Sequence, residues 1–269
     1  MNEDKRPMRS ADVQIATGPR LHYVEQGDPG GEPVVFLHGW PDSWFSFSLV
    51  AEKLPGRYRA LLIDQRAFGD SDKPEAGYDI RSMAADVAAF MDALSIQRAT
   101  IAGHSFGSFV ARCVALDHSN RVHRLALVDT GWLGSNEVIR DVHASLDSLP
   151  DPVPREFARD FQASTVFAPV PDAFFEQIVS ESLKLPSRFW QELLGSIIRY
   201  DDRSELTKIS VPTILFWGDR DALFSRDDQE RLAATIRGAR LRIYPEIGHC
   251  PNWECPEKVA ADLVAFMEE

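Results

Sequence analysis

The segment Gly103-His104-Ser105-Phe106-Gly107 puts a serine between two glycines, directly after the short apolar run 100–102 and directly before an amphipathic stretch. A sharp strand-to-helix turn needs glycine where a side chain would collide, and it exposes the serine hydroxyl at the carboxyl end of a strand. There the hydroxyl meets the positive end of a helix dipole, which favours developing negative charge. The competing reading is a serine that merely caps the helix. A serine hydroxyl is a poor nucleophile near neutral pH, so nucleophilic chemistry requires a general base, the usual task of histidine. Of the seven histidines, His22, His118, His123 and His143 fall on strand starts, helix ends or the middle region of the chain. His104 adjoins the serine in a tight turn that points it elsewhere, and His38 belongs to a separate motif. His249 is left, in YPEIGHCPNW after the apolar run 241–244. The base needs a carboxylate on its other ring nitrogen. Asp219 and Asp221 follow the run 213–217, Asp129 follows 125–128, and all three qualify. Backbone N–H donors for an oxyanion come from Phe106 and from the loop His38-Gly39-Trp40-Pro41-Asp42. Proline has no N–H, so the second donor is Gly39 or Trp40.

Elements able to hold these groups at one edge follow from hydropathy. Apolar, β-branched runs recur at 13–15, 21–24, 34–37, 60–63, 100–102, 125–128, 213–217 and 241–244, and from residue 34 onward most are continuous, as in strands covered on both faces. Between them Met83, Val87, Phe90, Met91 and Leu94 share one helical stripe, and Phe106, Phe109, Val110, Cys113 and Val114 another. Val259, Leu263 and Phe266 mark a last helix opened by Pro256. This alternation predicts an α/β protein with a mainly parallel eight-stranded sheet and right-handed crossovers. Between Gly131 and Ser210 strand-like runs vanish while helical ones persist, as in 172–183 and 189–200, the latter with Ser187 available as an N-cap. Prolines 150, 152, 154, 169, 171 and 186 cut the segment into short helices. It reads as a helical insertion over one end of the sheet.

At 269 residues, with 44% hydrophobic and 10% aromatic content, the chain is expected to fold as one domain carrying an insertion. A net charge of −12 opposes nucleic acid and anionic membrane as partners. The opening MNEDKRPMRS has no apolar leader core and no stretch reaches membrane-spanning length, so a cytoplasmic protein is expected. Three cysteines, Cys113, Cys250 and Cys255, give no disulfide framework, and His249 with Cys250 and Cys255 lacks a metal-ligand spacing. No metal is expected, and a homodimer is compatible with everything above.

Taken together, HGWPDS, DQRAFGDSDKP, GHSFG, GDRDALF and GHCPNWECPEKV resemble, in order and separation, the motifs of the α/β-hydrolase superfamily over most of the chain. The resemblance implies Ser105 as nucleophile, Asp221 rather than Asp219 as the acid, His249 as the base, and the N–H groups of Trp40 and Phe106 as oxyanion donors. It implies a core of residues 1–130 and 209–269, a helical cap over 131–208, and chemistry without a cofactor. His38, Asp64, Arg66 and Ser71 read as scaffold polar groups, and Ala67 departs from the glycine more often found there. The wording is closest to the epoxide hydrolase and haloalkane dehalogenase branch, whose members carry aspartate as nucleophile. Ser105 would form a stable ether in that chemistry, and Phe106 offers no side-chain N–H for a halide. The expectation is therefore a serine hydrolase of small, largely apolar carboxylic esters or lactones, with Trp132 and Trp190 lining its pocket. C–C bond hydrolysis, cofactor-free perhydrolysis and ligand binding without turnover are the alternatives.

Overall fold

The computed structural model describes residues 7–269; the opening stretch read for a leader lies mostly outside them. Strands Arg9–Gln14 (β1), Arg20–Gly27 (β2), Glu32–Leu37 (β3), Tyr58–Ile63 (β4), Ala99–His104 (β5), Val122–Val128 (β6), Thr213–Gly218 (β7) and Arg240–Tyr244 (β8) form one sheet. Its order is β1-β2-β4-β3-β5-β6-β7-β8. β1 and β2 pair antiparallel, and every pairing among β3 to β8 is parallel.

The helices are Ser48–Ala51 (α1), Ile80–Ala93 (α2), Phe106–Asp117 (α3), Glu137–Ser145 (α4), Arg155–Thr165 (α5), Asp172–Ser182 (α6), Ser187–Arg199 (α7), Arg226–Thr235 (α8), Pro251–Glu254 (α9) and Pro256–Met267 (α10). Alternate strand residues divide the core. Val35, Leu37, Ile101, Leu125 and Leu127 pack with residues of α2, α3 and α8, whereas Val34, Phe36, Ala102, Ala126 and Val128 pack with α1 and α10. Both faces are thus covered, which is why the parallel strands are continuously apolar. Each fully buried Val, Leu or Phe contributes about 1.5–3 kcal/mol.

Two local expectations are corrected. β1 runs over Arg9–Gln14 rather than 13–15, because it is an edge strand exposed on one face and carries no apolar run. Ser187 is the first residue of α7 rather than its N-cap; Pro186 holds the cap position, and the Ser187 N–H donates to Oδ1 of Asp151 at 3.1 Å.

The four helices α4 to α7 sit between β6 and β7, after the stretch where strand signals end. A buried ion pair fastens the chain beyond them to the core. Arg112 of α3 donates from Nε and Nη2 to Asp202 at 3.0 and 2.8 Å, and from Nη1 to the Gly131 carbonyl at 2.7 Å.

Candidate active site

Ser105 is the single residue between β5 and α3, with φ 49° and ψ −116°. A non-glycine residue seldom adopts this conformation, which is characteristic of strained functional turns. Its side chain makes no capping hydrogen bond, so the capping alternative fails. The flanking glycines are required by close approach. A Cβ on Gly103 would fall 2.3 Å from the Gly107 carbonyl oxygen, and one on Gly107 would fall 2.2 Å from that of Leu37. The Ser105 N–H donates to the Val128 carbonyl at 2.9 Å, stitching the turn to the end of β6.

His249 lies in the loop after β8, buried. Its Nδ1 stands 3.0 Å from Oδ2 of Asp221, with the ring not turned into a straight hydrogen bond. Nε2 is buried and without a hydrogen-bond partner. Asp221 is fixed through Oδ1, which accepts from the N–H groups of Leu223 and Phe224 at 2.7 and 3.2 Å. Asp129 also reaches this corner: suitable atoms of Asp129, Asp221 and His249 all lie within 4.8 Å of one another. Asp219 is not brought in; its Oδ1 accepts from the Glu246 N–H at 2.7 Å near the surface.

Ser105 and His249 line one narrow cleft, walled by Trp40, Phe106 and Trp253 from the core and by Ile139, Val142, Phe161, Leu194 and Ile197 from the helical insertion. The N–H groups of Phe106 and Trp40 have no acceptor among the described hydrogen bonds; Phe106 opens α3, where N–H groups have no partner within the helix. Trp132 and Trp190 do not line the cleft. Trp190 is fully buried, donates from Nε1 to the Leu185 carbonyl at 3.0 Å and packs edge-on against Trp40 at 5.2 Å. Its aromatic bulk supports a wall, and Trp132 packs on the core cluster.

Several residues at this site were given no role by the sequence. Asp42 lines the cleft; Gln162 of α5 donates to its Oδ1 at 2.9 Å and Ser46 to its Oδ2 at 3.0 Å. Burial pushes its carboxyl up to about 6, against these hydrogen bonds. His104 is turned toward His249, its Nε2 2.8 Å from the His249 carbonyl oxygen, and burial holds its imidazole well below the usual range, hence neutral. Glu254 of α9 accepts from the N–H groups of Gly248, Phe167 and Ala168 at 2.9, 3.0 and 2.6 Å. The His249 N–H in turn donates to the Thr165 carbonyl at 2.8 Å. Asp42 stands within HGWPDS, whereas nothing in the sequence around Gln162 distinguishes it from other polar helix positions.

The scaffold groups behave as such. Asp64 accepts from the Trp44 and Asp70 N–H groups and contacts His22 at 2.9 Å. Arg66 forms a two-pronged pair with Asp86, and Ser71 donates to the Asp64 carbonyl. His38 accepts from the Gln65 N–H and contacts the Gly39 carbonyl, with burial pulling its imidazole down to about 4.

The sequence pattern of the alpha/beta hydrolase fold matches residues 32–256. The chain belongs to this family. Among the α/β-hydrolase's relatives, a non-heme chloroperoxidase of Streptomyces lividans is 29% identical, the alignment covering 95% of this chain and 99% of that one. Epoxide hydrolase 2 of Caenorhabditis elegans is 33% identical over 93% of this chain and 78% of its own. An esterase of Exiguobacterium antarcticum superimposes with a TM-score of 0.88 at 24% identity, covering 97% of this chain and 100% of that one, a likeness of fold. Among the described residues of this α/β-hydrolase, no helix is long and apolar enough to cross a membrane.

Proposed function

We propose that this α/β-hydrolase cleaves small, largely apolar carboxylic esters or lactones through Ser105, His249 and Asp221, beneath a cap formed by residues 131–208. The observation that carries the reading is the 3.0 Å contact of His249 Nδ1 with Asp221 beside a strained Ser105 in one shared cleft. Oγ of Ser105 attacks the carbonyl carbon as its proton passes to Nε2 of His249. The oxyanion is held by the N–H groups of Trp40 and Phe106, aimed where charge develops. His249 then gives its proton to the departing alcohol oxygen, which for a lactone stays attached to the acyl group. Water attacks the acyl-enzyme, His249 takes its proton, and the acid leaves with Ser105 restored.

Epoxide opening fits the site poorly. Attack by Oγ would leave a carbon–oxygen ether that water does not cleave, whereas a carboxylate nucleophile leaves a hydrolysable ester. Perhydrolysis is a second reading, favoured by the full-length relative named as a chloroperoxidase. Hydrogen peroxide would replace water on the same acyl-enzyme and release a peracid. Comparing peracid with carboxylate release from one ester separates the two.

The cleft wall from the insertion supports apolar specificity, since Ile139, Val142, Phe161, Leu194 and Ile197 present hydrocarbon. Each extra methylene buried there contributes up to about 0.8 kcal/mol, so kcat/KM is expected to rise about 3- to 10-fold per two carbons from acetate upward, until the cleft is full. The measurement uses p-nitrophenyl esters from acetate to octanoate with neutral lactones and a succinate half-ester. A falling series with the charged half-ester best would overturn the apolar reading. Asp221→Asn is expected to cost far more kcat than Asp219→Asn, because only Asp221 reaches His249; equal losses would reject the assignment of the acid.

A further inference from the structure

Two carboxyl groups stand behind His249, and their hydrogen bonds do not add up if both are ionised. Asp129 closes β6 with φ 43°, a backbone tolerated mainly by Asp, Asn and Gly. Its Oδ1 accepts from the Gly218 N–H at 3.1 Å, while its Oδ2 is buried with no donor. Asp221 likewise spends Oδ1 on two backbone N–H groups, and its Oδ2 lacks an aligned donor. Ionised carboxylates only accept, and two buried ones in contact repel. One proton placed between the two groups removes both defects.

We propose that Asp129 carries a proton and donates it as a hydrogen bond to Asp221, so that the pair presents a single negative charge to His249. Asp129 is then a positioning residue, acting on substrate only through Asp221 and His249; the proposal rests on the reading of those two as acid and base. Burial first, and then the charge of Asp221, hold the Asp129 carboxyl well above the usual range, while the Gly218 N–H pulls the other way. Glu254 adds to the upward push, and the Cys250 thiol, itself raised by burial, faces the same corner. The nearby cation Arg112 is already engaged by Asp202. Asp129 therefore stays neutral where an isolated carboxyl would not.

Asparagine fits the same backbone and can still donate, so it mimics the protonated acid. Asp129→Asn is expected to lose only about two- to fivefold in kcat, with the acid limb of its pH–rate profile unmoved. Asp129→Ala, which takes that donor away from Asp221 and leaves a void beside it, is expected to lose about 10- to 100-fold. If Asp129 were ionised instead, Asp129→Asn would delete a charge beside His249 and lower the acid limb by about 1–3 pH units, overturning the proposal. Infrared spectroscopy gives a readout independent of turnover. At mildly alkaline pH, where Asp42 is ionised, the parent protein should show a protonated-carboxyl band that Asp129→Asn lacks. Should that variant fail to fold, the parent's band decides alone, and its absence overturns the proposal. Activity removed by a chelator and restored by a divalent cation would also overturn it, placing a metal ion between the oxygens. Loss of the nucleophile assignment would show separately, as activity surviving in Ser105→Ala.

Discussion

Replacing Ser105 by alanine is expected to lower kcat by about four to six orders of magnitude while leaving thermal unfolding nearly unchanged. Alanine keeps the Cβ that the turn already accommodates at φ 49°, so the fold loses a hydroxyl that makes no capping bond. His249→Ala should fall in the same range, and the double variant should be little worse than either, because a nucleophile and its base, as proposed, act as one unit. Steady-state and single-turnover assays with an activated ester, alongside a melting curve, test this. A Ser105→Ala protein keeping more than about a tenth of the parent activity would reject the mechanism.

The second large effect is on stability and lies away from the cleft. Asp202→Ala leaves the Arg112 guanidinium, about 1% exposed, without its two-pronged partner. A buried charge stripped of its counter-ion costs about 3–5 kcal/mol. For a chain of this size that corresponds to a fall in Tm of about 10 °C. Arg112 would retain the Gly131 carbonyl, a long contact of 3.5 Å with the Thr130 hydroxyl and its place 4.5 Å over the Phe109 ring. Replacing both partners, Arg112→Met with Asp202→Leu, should recover most of the loss, since well-packed apolar groups of similar volume often match a buried ion pair. Denaturant unfolding of the single and double variants measures this; a single variant within about 1 kcal/mol of the parent would show that water or a neighbouring group reaches the guanidinium.

The sheet and its covering helices were legible because their signals are local. Continuous apolar runs mark strands buried on two faces, and the glycines around Ser105 mark a turn where backbone meets backbone, as Gly103 against Gly107 shows. β1 was misplaced because an edge strand exposed on one face carries a weak pattern. Around the cleft, spacing narrowed the acid to three aspartates but could not say that two of them, Asp129 and Asp221, approach the same imidazole. Asp42 and Gln162 meet across 120 positions, and no periodicity records such a meeting. Trp190 illustrates the remaining ambiguity, since an aromatic stripe on a helix reads the same whether it faces a cavity or, as here, packs behind one.

The Glu254 carboxylate grips Gly248, beside His249, together with Phe167 and Ala168 just after α5. The helical insertion is therefore not an interchangeable module. A chimaera that takes residues 131–208 from a relative inherits a new cleft wall, but it must also return a carbonyl at position 165 to the His249 N–H and two N–H groups at 167 and 168 to Glu254. Without them His249 loses its backbone bond to the insertion and Glu254 loses two of its donors, so that recombining the cleft wall is expected to lower activity even with Ser105, Asp221 and His249 in place.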